Sequence, residues 1–294
     1  MSNMIKGSIV ALVTPFHPDG TVNFQKLGEL IEWHIANSTD GILILGTSGE
    51  SSTMSHEEDD AVAVYTIEKV NHRVPVIVGA GSNCTQTAME KSIKYQNMGA
   101  DQLLLISPYY NKANKAGMIM HFTTVADAVH IPIILYNVPG RTGCSIDEEA
   151  VKVLSQHPNI CGIKEASGNI SYATNIARYL SDDFVMYSGN DDMITSMMSL
   201  GASGVISVLA NCLPYETHKI VTDFLDGNVK ASLDAQLKYL DFIHALFCEV
   251  NPIPVKEALN IMGKEVGGYR LPLCEMANEN KELLRSTMEK LGLC

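Results

Sequence analysis

The segment "NICGIKEASGN" (residues 159–169) places a lysine inside a short apolar run that predicts a buried β-strand. Side chains in a strand alternate between two faces, so we expect Cys161 and Ile163 on one face and Lys164 on the other. Lys164 would share its face with the neighbouring glycine and alanine, which leave space around its amine. Because burying an unpartnered ammonium is costly, this stretch predicts a pocket around Lys164.

Eight apolar, β-branched runs of this kind recur along the 294 residues, and segments with a helical pattern separate them. The runs show little polar alternation before their last residues, which is typical of parallel strands buried on both faces. Eight such units predict an α/β fold, a (β/α)8 TIM barrel. The predicted strands are residues 8–16, 41–48, 75–82, 102–110, 131–139, 159–167, 184–190 and 204–210.

An open, doubly wound sheet is the alternative architecture. Such sheets usually have fewer strands, and a glycine-rich fingerprint, absent here, follows the first strand. After residue 213 the pattern becomes purely helical. We therefore predict a barrel at residues 1–227 and a C-terminal helical subdomain at residues 228–294 that packs on it.

Composition and charge exclude several classes of function. The formal net charge is −12, whereas phosphate-backbone binding needs clustered Lys and Arg, so no nucleic-acid partner is expected. No run approaches the ~20 apolar residues that span a bilayer, and residues 1–16 make a poor signal peptide. The seven cysteines lack a C-x-x-C pair, which favours reduced thiols and a cytoplasmic location without membrane association.

Polar residues collect at the ends of the predicted strands, where the sites of TIM barrels lie. In "GTSGE", Thr47 and Ser48 stand between glycines, and their N–H and hydroxyl groups could hold a carboxylate. A tight turn with helix-capping residues is the simpler interpretation of that motif alone. In "YNVPGRTG", Tyr136 is followed by Arg141, which suits bidentate capture of a carboxylate; a surface arginine in a loop is the commoner alternative.

Two acidic residues, Asp191 and Asp192, stand where a helix is expected to begin. Helix N-capping is therefore a better interpretation of them than metal binding. The sequence contains no H-x-H, no H-E-x-x-H and no Cys/His cluster. No metal and no other cofactor is expected.

Lys164 carries the most specific chemical prediction. Burial favours a neutral amine over an ammonium, and a neutral amine attacks carbonyl carbons. Such a lysine could form a Schiff base with a keto acid and convert it to an enamine. The alternative is a lysine whose head reaches solvent or pairs with Glu165, although adjacent strand residues face opposite ways.

The motifs "GTSGE", "SPYYN", "YNVPGRTG", "GIKEASGN", "SGNDD" and "GVISV" together resemble the dihydrodipicolinate synthase family. The resemblance extends over nearly the whole chain, including "NPIPVKEALNIMG" and "YRLPL". It implies a class I, pyruvate-dependent lyase that condenses pyruvate with L-aspartate 4-semialdehyde. The product is 4-hydroxy-tetrahydrodipicolinate, in the diaminopimelate route to lysine. It also implies a homo-oligomer, a tetramer built as a dimer of dimers.

Carried over to this chain, the resemblance implies that Lys164 is the Schiff-base nucleophile. Tyr136, Thr47 and Tyr110 would form a proton relay, with Tyr110 entering from the neighbouring subunit. The implied substrate-binding groups are Ser48 beside Thr47 for the pyruvate carboxylate, Arg141 for the second substrate, and Gly189 and the Ile206 carbonyl as pocket lining.

Arg141 also discriminates among related activities. Sialic acid lyases and 2-keto-3-deoxy sugar-acid aldolases share the lysine and tyrosine but generally lack this arginine. Another class I pyruvate-dependent aldolase remains the alternative function, because loop changes can redirect the aldehyde partner. A catalytically silent keto-acid-binding protein would be expected to lack Lys164 or the relay tyrosines, and both are present.

One departure from the family pattern concerns feedback regulation. Where lysine-sensitive members carry a glutamate, this chain has Thr87, and Asp59 stands where a second histidine is common. Loss of the carboxylate that pairs with the ligand's ammonium should weaken lysine binding. We therefore expect insensitivity to lysine at a degenerate site whose remaining residues are Ser51, His56, Asn83 and Tyr109.

Overall fold

A closed barrel of eight parallel strands forms the centre of the protein, which we describe from a computed structural model covering residues 4–294. The first three residues of the predicted barrel lie outside this range. The strands follow one another in chain order, and β8 closes on β1, so the predicted (β/α)8 class is confirmed. The strands are β1 Gly7–Ala11, β2 Gly41–Ile44, β3 Val76–Gly79, β4 Gln102–Ile106, β5 Ile133–Asn137, β6 Ile160–Glu165, β7 Val185–Ser188 and β8 Gly204–Ser207.

Helices surround the barrel and continue beyond it. Across residues 4–294, no helix combines the length and the apolar character needed to cross a membrane. The helices are α1 Phe24–Ala36, α2 His56–Val70, α3 Thr85–Met98, α4 Lys115–Asp127, α5 Pro139–Thr142, α6 Glu148–Leu154, α7 Ile170–Ala177, α8 Ile194–Ser199, α9 Pro214–Leu225, α10 Val229–Lys238, α11 Leu240–Ala245, α12 Ile253–Ile261 and α13 Asn278–Lys290.

Two hydrophobic clusters follow from strands that are buried on both faces. The larger cluster lies between the strands and the helices, and the smaller one fills the barrel interior. Because successive side chains of a strand point alternately to these two clusters, the strand register fixes which side chains reach the interior and the mouth of the barrel. The interior cluster includes Ile9, Leu43, Ile77, Leu104, Ile134 and Ile206.

The prediction that Cys161 and Ile163 share a face is wrong. Cys161 belongs to the barrel-interior cluster, whereas Ile163 packs in the outer one. The cause is a register shift between β5 and β6: Ile133 pairs with Ile160, but Ile134 pairs with Gly162. The extra residue in β6 is a β-bulge, which turns Cys161 to the other face.

The C-terminal helices pack on the barrel and on one another, as expected. Helix α10 packs against α9, while α13 packs against α11 and α12. Lys256 of α12 reaches back to the barrel, where its Nζ lies 3.1 Å from the carbonyl oxygen of Thr14. The predicted division after residue 227 falls between α9 and α10, and as a domain boundary it stays a prediction.

Candidate active site

A cavity of about 380 Å³ opens at the carboxyl ends of the strands. Its lining comes from the loops after β2, β5, β6 and β7 and from the segment before α12. Six of the predicted site residues lie together there, namely Thr47, Ser48, Tyr136, Arg141, Lys164 and Gly189. Residues beyond that prediction also line it, among them Val138, Ala166, Asn190, Val208, Phe247 and Asn251.

Lys164 projects from β6 into this cavity and is 5% exposed. It is the register partner of Tyr136 on β5, and its Nζ lies 4.5 Å from the centroid of that ring. Within residues 4–294 its amine makes no hydrogen bond and no ion pair. Glu165 is not its partner, because the Glu165 carboxylate accepts bonds from Asn137 Nδ2 at 2.6 Å and the Ser167 amide at 2.7 Å.

The turn of residues 46–50 has the features of a carboxylate site. Within residues 4–294, the amide N–H groups of Thr47 and Ser48 donate to no protein acceptor. The Gly49 amide donates to the carbonyl of Gly46 at 3.1 Å, which closes the turn. Two free amides beside two hydroxyls can bind the oxygens of a small carboxylate.

Asn251 joins the predicted carboxylate turn to the predicted arginine, and sequence reasoning missed it. Its Nδ2 donates to Ser48 Oγ at 2.9 Å, and its carbonyl oxygen accepts from Arg141 at 3.3 Å. Its Oδ1 is buried without a hydrogen-bond partner in residues 4–294. The only available signal was the "NPIPVK" motif, which carries no chemistry of its own and lies about 200 residues from the turn.

Close backbone packing shapes the wall formed by β7. A Cβ on Gly189 would lie 2.5 Å from the Cβ of Ala166, so only glycine fits there. The Gly189 amide donates to the carbonyl of Glu165 at 2.7 Å. These contacts bring the end of β7 against the end of β6, beside Lys164.

Asp191 does not cap its own helix, so that prediction is wrong; Asn190 precedes the short helix. The Asp191 carboxylate instead accepts from the amides of Val208 at 3.0 Å and Leu209 at 2.9 Å. Burial raises the pKa of Asp191, and these hydrogen bonds oppose the shift. Asp191 thus holds the loop after β8. Within residues 4–294, no three His, Cys, Asp or Glu side chains are grouped to hold a metal ion.

Two predicted site residues do not line the cavity. The Tyr110 side chain is 92% exposed, with a left-handed backbone at φ 67°. Ile206 is completely buried in the barrel-interior cluster. The roles assigned to both stay predictions.

One of the predicted regulatory residues adjoins this site. Ser51 lines a second cavity of about 80 Å³ together with Thr47 and Tyr136. Asp59 is 2% exposed, and its Oδ2 accepts from Ser51 Oγ at 3.1 Å and from Lys91 Nζ at 2.9 Å. This region therefore contains the carboxylate of Asp59, which the sequence analysis named only as the replacement of a histidine. The others are exposed or half-buried: His56 at the start of α2, Thr87 in α3, and Asn83, whose Nδ2 donates to the Tyr109 carbonyl at 3.3 Å.

Comparisons with known proteins identify the family of the chain. Residues 4–291 match the model of the Dihydrodipicolinate synthetase family. The chain is 52% identical over 291 residues to 4-hydroxy-tetrahydrodipicolinate synthase of Thermoanaerobacter sp. (strain X514), covering 99% of this chain and 98% of that protein. The chloride-inhibited dihydrodipicolinate synthase of Acinetobacter baumannii, solved with pyruvate, is 40% identical with a TM-score of 0.96, over 99% and 100% of the two chains. A monomeric dihydrodipicolinate synthase variant is 34% identical with a TM-score of 0.96, over 99% and 98%. The chain belongs to the dihydrodipicolinate synthetase family.

Proposed function

We propose that this protein condenses pyruvate with L-aspartate 4-semialdehyde to give 4-hydroxy-tetrahydrodipicolinate, in the diaminopimelate route to lysine. The observation that carries the proposal is the buried Lys164 amine, which has no protein partner in residues 4–294 and faces a cavity. Arg141 and the free amides of the 46–50 turn line the same cavity. The A. baumannii relative, solved with pyruvate, supports the choice of keto acid.

The reaction begins when the nitrogen lone pair of the Lys164 amine attacks C2 of pyruvate. The carbinolamine loses water, and a C=N bond joins Lys164 to C2. Loss of a proton from C3 gives an enamine, and its C3 forms a carbon–carbon bond to the aldehyde carbon of the second substrate. The amino group of that substrate then attacks C2, closes the ring and releases Lys164 as a free amine.

The 46–50 turn binds the pyruvate carboxylate. Because Ser48 Oγ accepts a hydrogen bond from Asn251, its own O–H is free to donate to a carboxylate oxygen. The free amides of Thr47 and Ser48 add two further donors. These bonds hold C2 of pyruvate next to the Lys164 amine, which is the main requirement for attack.

Tyr136, Thr47 and Tyr110 move protons during imine formation and release. Tyr136 lies directly beside Lys164. Tyr110 is exposed on its own chain, and we assign the relay to the partner subunit's Tyr110. This assignment requires at least a dimer, and we propose that the active form is a homo-oligomer, a tetramer built as a dimer of dimers. A monomer with full activity in solution would contradict this assignment.

Arg141 binds the carboxylate of L-aspartate 4-semialdehyde through its guanidinium. It lies at the edge of the cavity, exposed to entering substrate. A related activity, such as cleavage of sialic acids or 2-keto-3-deoxy sugar acids, would have no acidic aldehyde for this group to bind. The arginine therefore favours the synthase reaction over that alternative.

The experiment is a steady-state assay with pyruvate and either the semialdehyde or neutral sugar aldehydes, on the wild type and Arg141→Ala. We expect turnover with the semialdehyde only, and a rise of roughly tenfold or more in its KM for Arg141→Ala. The KM for pyruvate should stay near the wild-type value. Faster turnover with a sugar aldehyde would move the function to the alternative class.

We also propose that lysine does not inhibit this enzyme. The carboxylate of Asp59 is already paired with the ammonium of Lys91, so it offers little to a free lysine ligand. Burial raises the pKa of Asp59, while Lys91 and Ser51 oppose the shift. Strong inhibition by low concentrations of lysine would contradict the proposal, and Thr87→Glu should create sensitivity if the missing glutamate is the cause.

A cytoplasmic location completes the proposal. All seven cysteines are free thiols, as expected for a reducing compartment. Recovery of the native enzyme in an oxidising compartment would contradict this location.

A further inference from the structure

A completely buried ion pair lies behind the predicted carboxylate turn. Lys256 Nζ is 2.8 Å from Glu50 Oε1, and their side chains are 0% and 1% exposed. The ammonium also donates to the carbonyl oxygens of Thr14 at 3.1 Å and Gly268 at 2.5 Å. All three of its N–H donors are therefore used, and the charge is held at one position.

Stability alone is a weak reason for such a pair, because well-packed apolar residues usually serve a core as well or better. Glu50 also has a left-handed backbone with φ 55°, a conformation that is costly for a residue with a Cβ. The chain keeps this conformation two residues after Ser48. The ion pair holds the Glu50 side chain inward despite that cost.

One C-terminal segment is anchored to the turn twice. Asn251 donates to Ser48 Oγ at 2.9 Å, and five residues later Lys256 binds Glu50 at 2.8 Å. A third bond, from Thr14 Oγ1 to the carbonyl of Gly49 at 2.7 Å, holds the residue between them. The position of the turn relative to β6 therefore depends on α12, which lies outside the barrel.

We propose that Glu50 and Lys256 are positioning residues for the pyruvate site. They fix the turn of residues 46–50 relative to Lys164. The amides and hydroxyls of Thr47 and Ser48 then lie where they can bind the carboxylate of a pyruvate that is covalently bonded to Lys164. The inference rests on the proposed function. Neither residue touches substrate, so their loss weakens pyruvate binding and leaves the later steps and the aldehyde site much less affected.

The experiment titrates pyruvate against borohydride trapping of the Schiff base, read by intact mass, on the double variant Glu50→Gln/Lys256→Met. Removing both charges leaves no lone buried ion, so the double variant should keep a melting temperature close to that of the wild type. We expect its half-saturating pyruvate concentration to rise roughly tenfold or more. Its kcat and its KM for the aldehyde should change by less than about threefold.

Glu50→Asp is the conservative variant, because it keeps the charge and shortens the side chain by one methylene. Its half-saturating pyruvate concentration should rise by roughly threefold, between the wild type and the double variant. The matched control is Glu58→Gln/Arg270→Gln, which removes another ion pair between the C-terminal segment and the region after β2. It should lower the melting temperature and leave pyruvate half-saturation within about twofold of the wild type.

Wild-type half-saturation in the double variant, or in Glu50→Asp if the double variant does not fold, would overturn the inference. An equal rise in the matched control would also overturn it, because the effect would then be general loosening. Absence of any adduct on the folded wild type would instead remove the proposed function, and this inference with it.

Discussion

Lys164 and Lys256 are both almost fully buried, yet their surroundings are opposite. Lys256 is 0% exposed and donates to one carboxylate and two carbonyl oxygens. Lys164 is 5% exposed, its Nζ lies 4.5 Å from the centroid of the Tyr136 ring, and it faces the cavity without a hydrogen-bond partner in the described part of the chain. At nearly the same burial, the lysine side chain thus makes all of its hydrogen bonds at position 256 and none at position 164 within residues 4–294.

The difference separates a structural lysine from a reactive one. A buried ammonium is retained when good acceptors surround it, and burial lowers the pKa of Lys256 while its attraction to Glu50 opposes that shift. Lys164 has no such acceptors within residues 4–294, so its amine faces a cavity in which a ligand can bond to it. Burial by itself therefore does not identify a nucleophile, whereas burial without partners beside a cavity does.

Replacing Lys164 should have the largest effect on activity. Lys164→Met removes the nucleophile, so turnover should fall by at least about 10³-fold. The free energy of unfolding should stay the same or rise by roughly 1 kcal/mol, because an unpartnered buried amine is removed. Steady-state kinetics and urea unfolding on the same preparations measure both; a large loss of stability would remove the contrast with Lys256.

Replacing Lys256 should have the largest effect on stability. Lys256→Met leaves the Glu50 carboxylate buried without its partner, which should lower the free energy of unfolding by about 3–5 kcal/mol. Adding Glu50→Gln should recover most of the lost free energy of unfolding. Urea unfolding of the single and double variants measures this recovery. Simple additivity of the two single losses would mean that the pair is not coupled, contrary to its geometry.

Replacing a third buried basic side chain, His34, should have the smallest effect on stability, and it extends the comparison of buried basic residues. It is 0% exposed, and its Nδ1 lies 3.0 Å from Thr39 Oγ1. Burial lowers the pKa of His34 from 6.5 to about 3, and the charge of Lys264 adds to the shift. Between pH 6.5 and about 3, His34 is thus neutral in the folded protein, whereas the unfolded chain binds a proton at this residue.

Because the folded-state pKa lies below the unfolded value, this contribution to stability is present above pH 6.5 and is lost as pH falls from 6.5 toward about 3. The loss attributable to His34 should reach about 2 kcal/mol near pH ~5. Urea unfolding at pH ~7 and ~5 should therefore show a steeper decline for the wild type than for His34→Gln. Equal declines would mean that His34 is protonated in the fold.

Much of the barrel is predictable from the sequence, since parallel strands buried on both faces appear as separate β-branched runs. The runs extend past the true strand ends, because loop residues such as Val138 are as apolar as strand residues. The bulge at Cys161 was not predictable, because a one-residue register shift depends on pairing with β5. The face assignment failed there for that reason.

The candidate site was predictable where its residues lie near the carboxyl ends of strands, as Tyr136 in β5, Lys164 in β6 and Thr47 after β2 do. Asn251 and Lys256 were not predictable, because they approach the turn from a helical segment about 200 residues away. Nor could the pairing of Asp59 with Lys91 be read from the sequence, since it joins two different helices. Long-range polar contacts leave no periodic signal.

The central claim is that Lys164, and not Lys256, forms the covalent bond to pyruvate. Borohydride reduction in the presence of pyruvate, followed by peptide mass mapping, tests it most directly. The account predicts one pyruvate-derived adduct per chain, located on Lys164, none on Lys256, and none at all in folded Lys164→Met. An adduct on another lysine, or no adduct on folded wild-type protein, would contradict it.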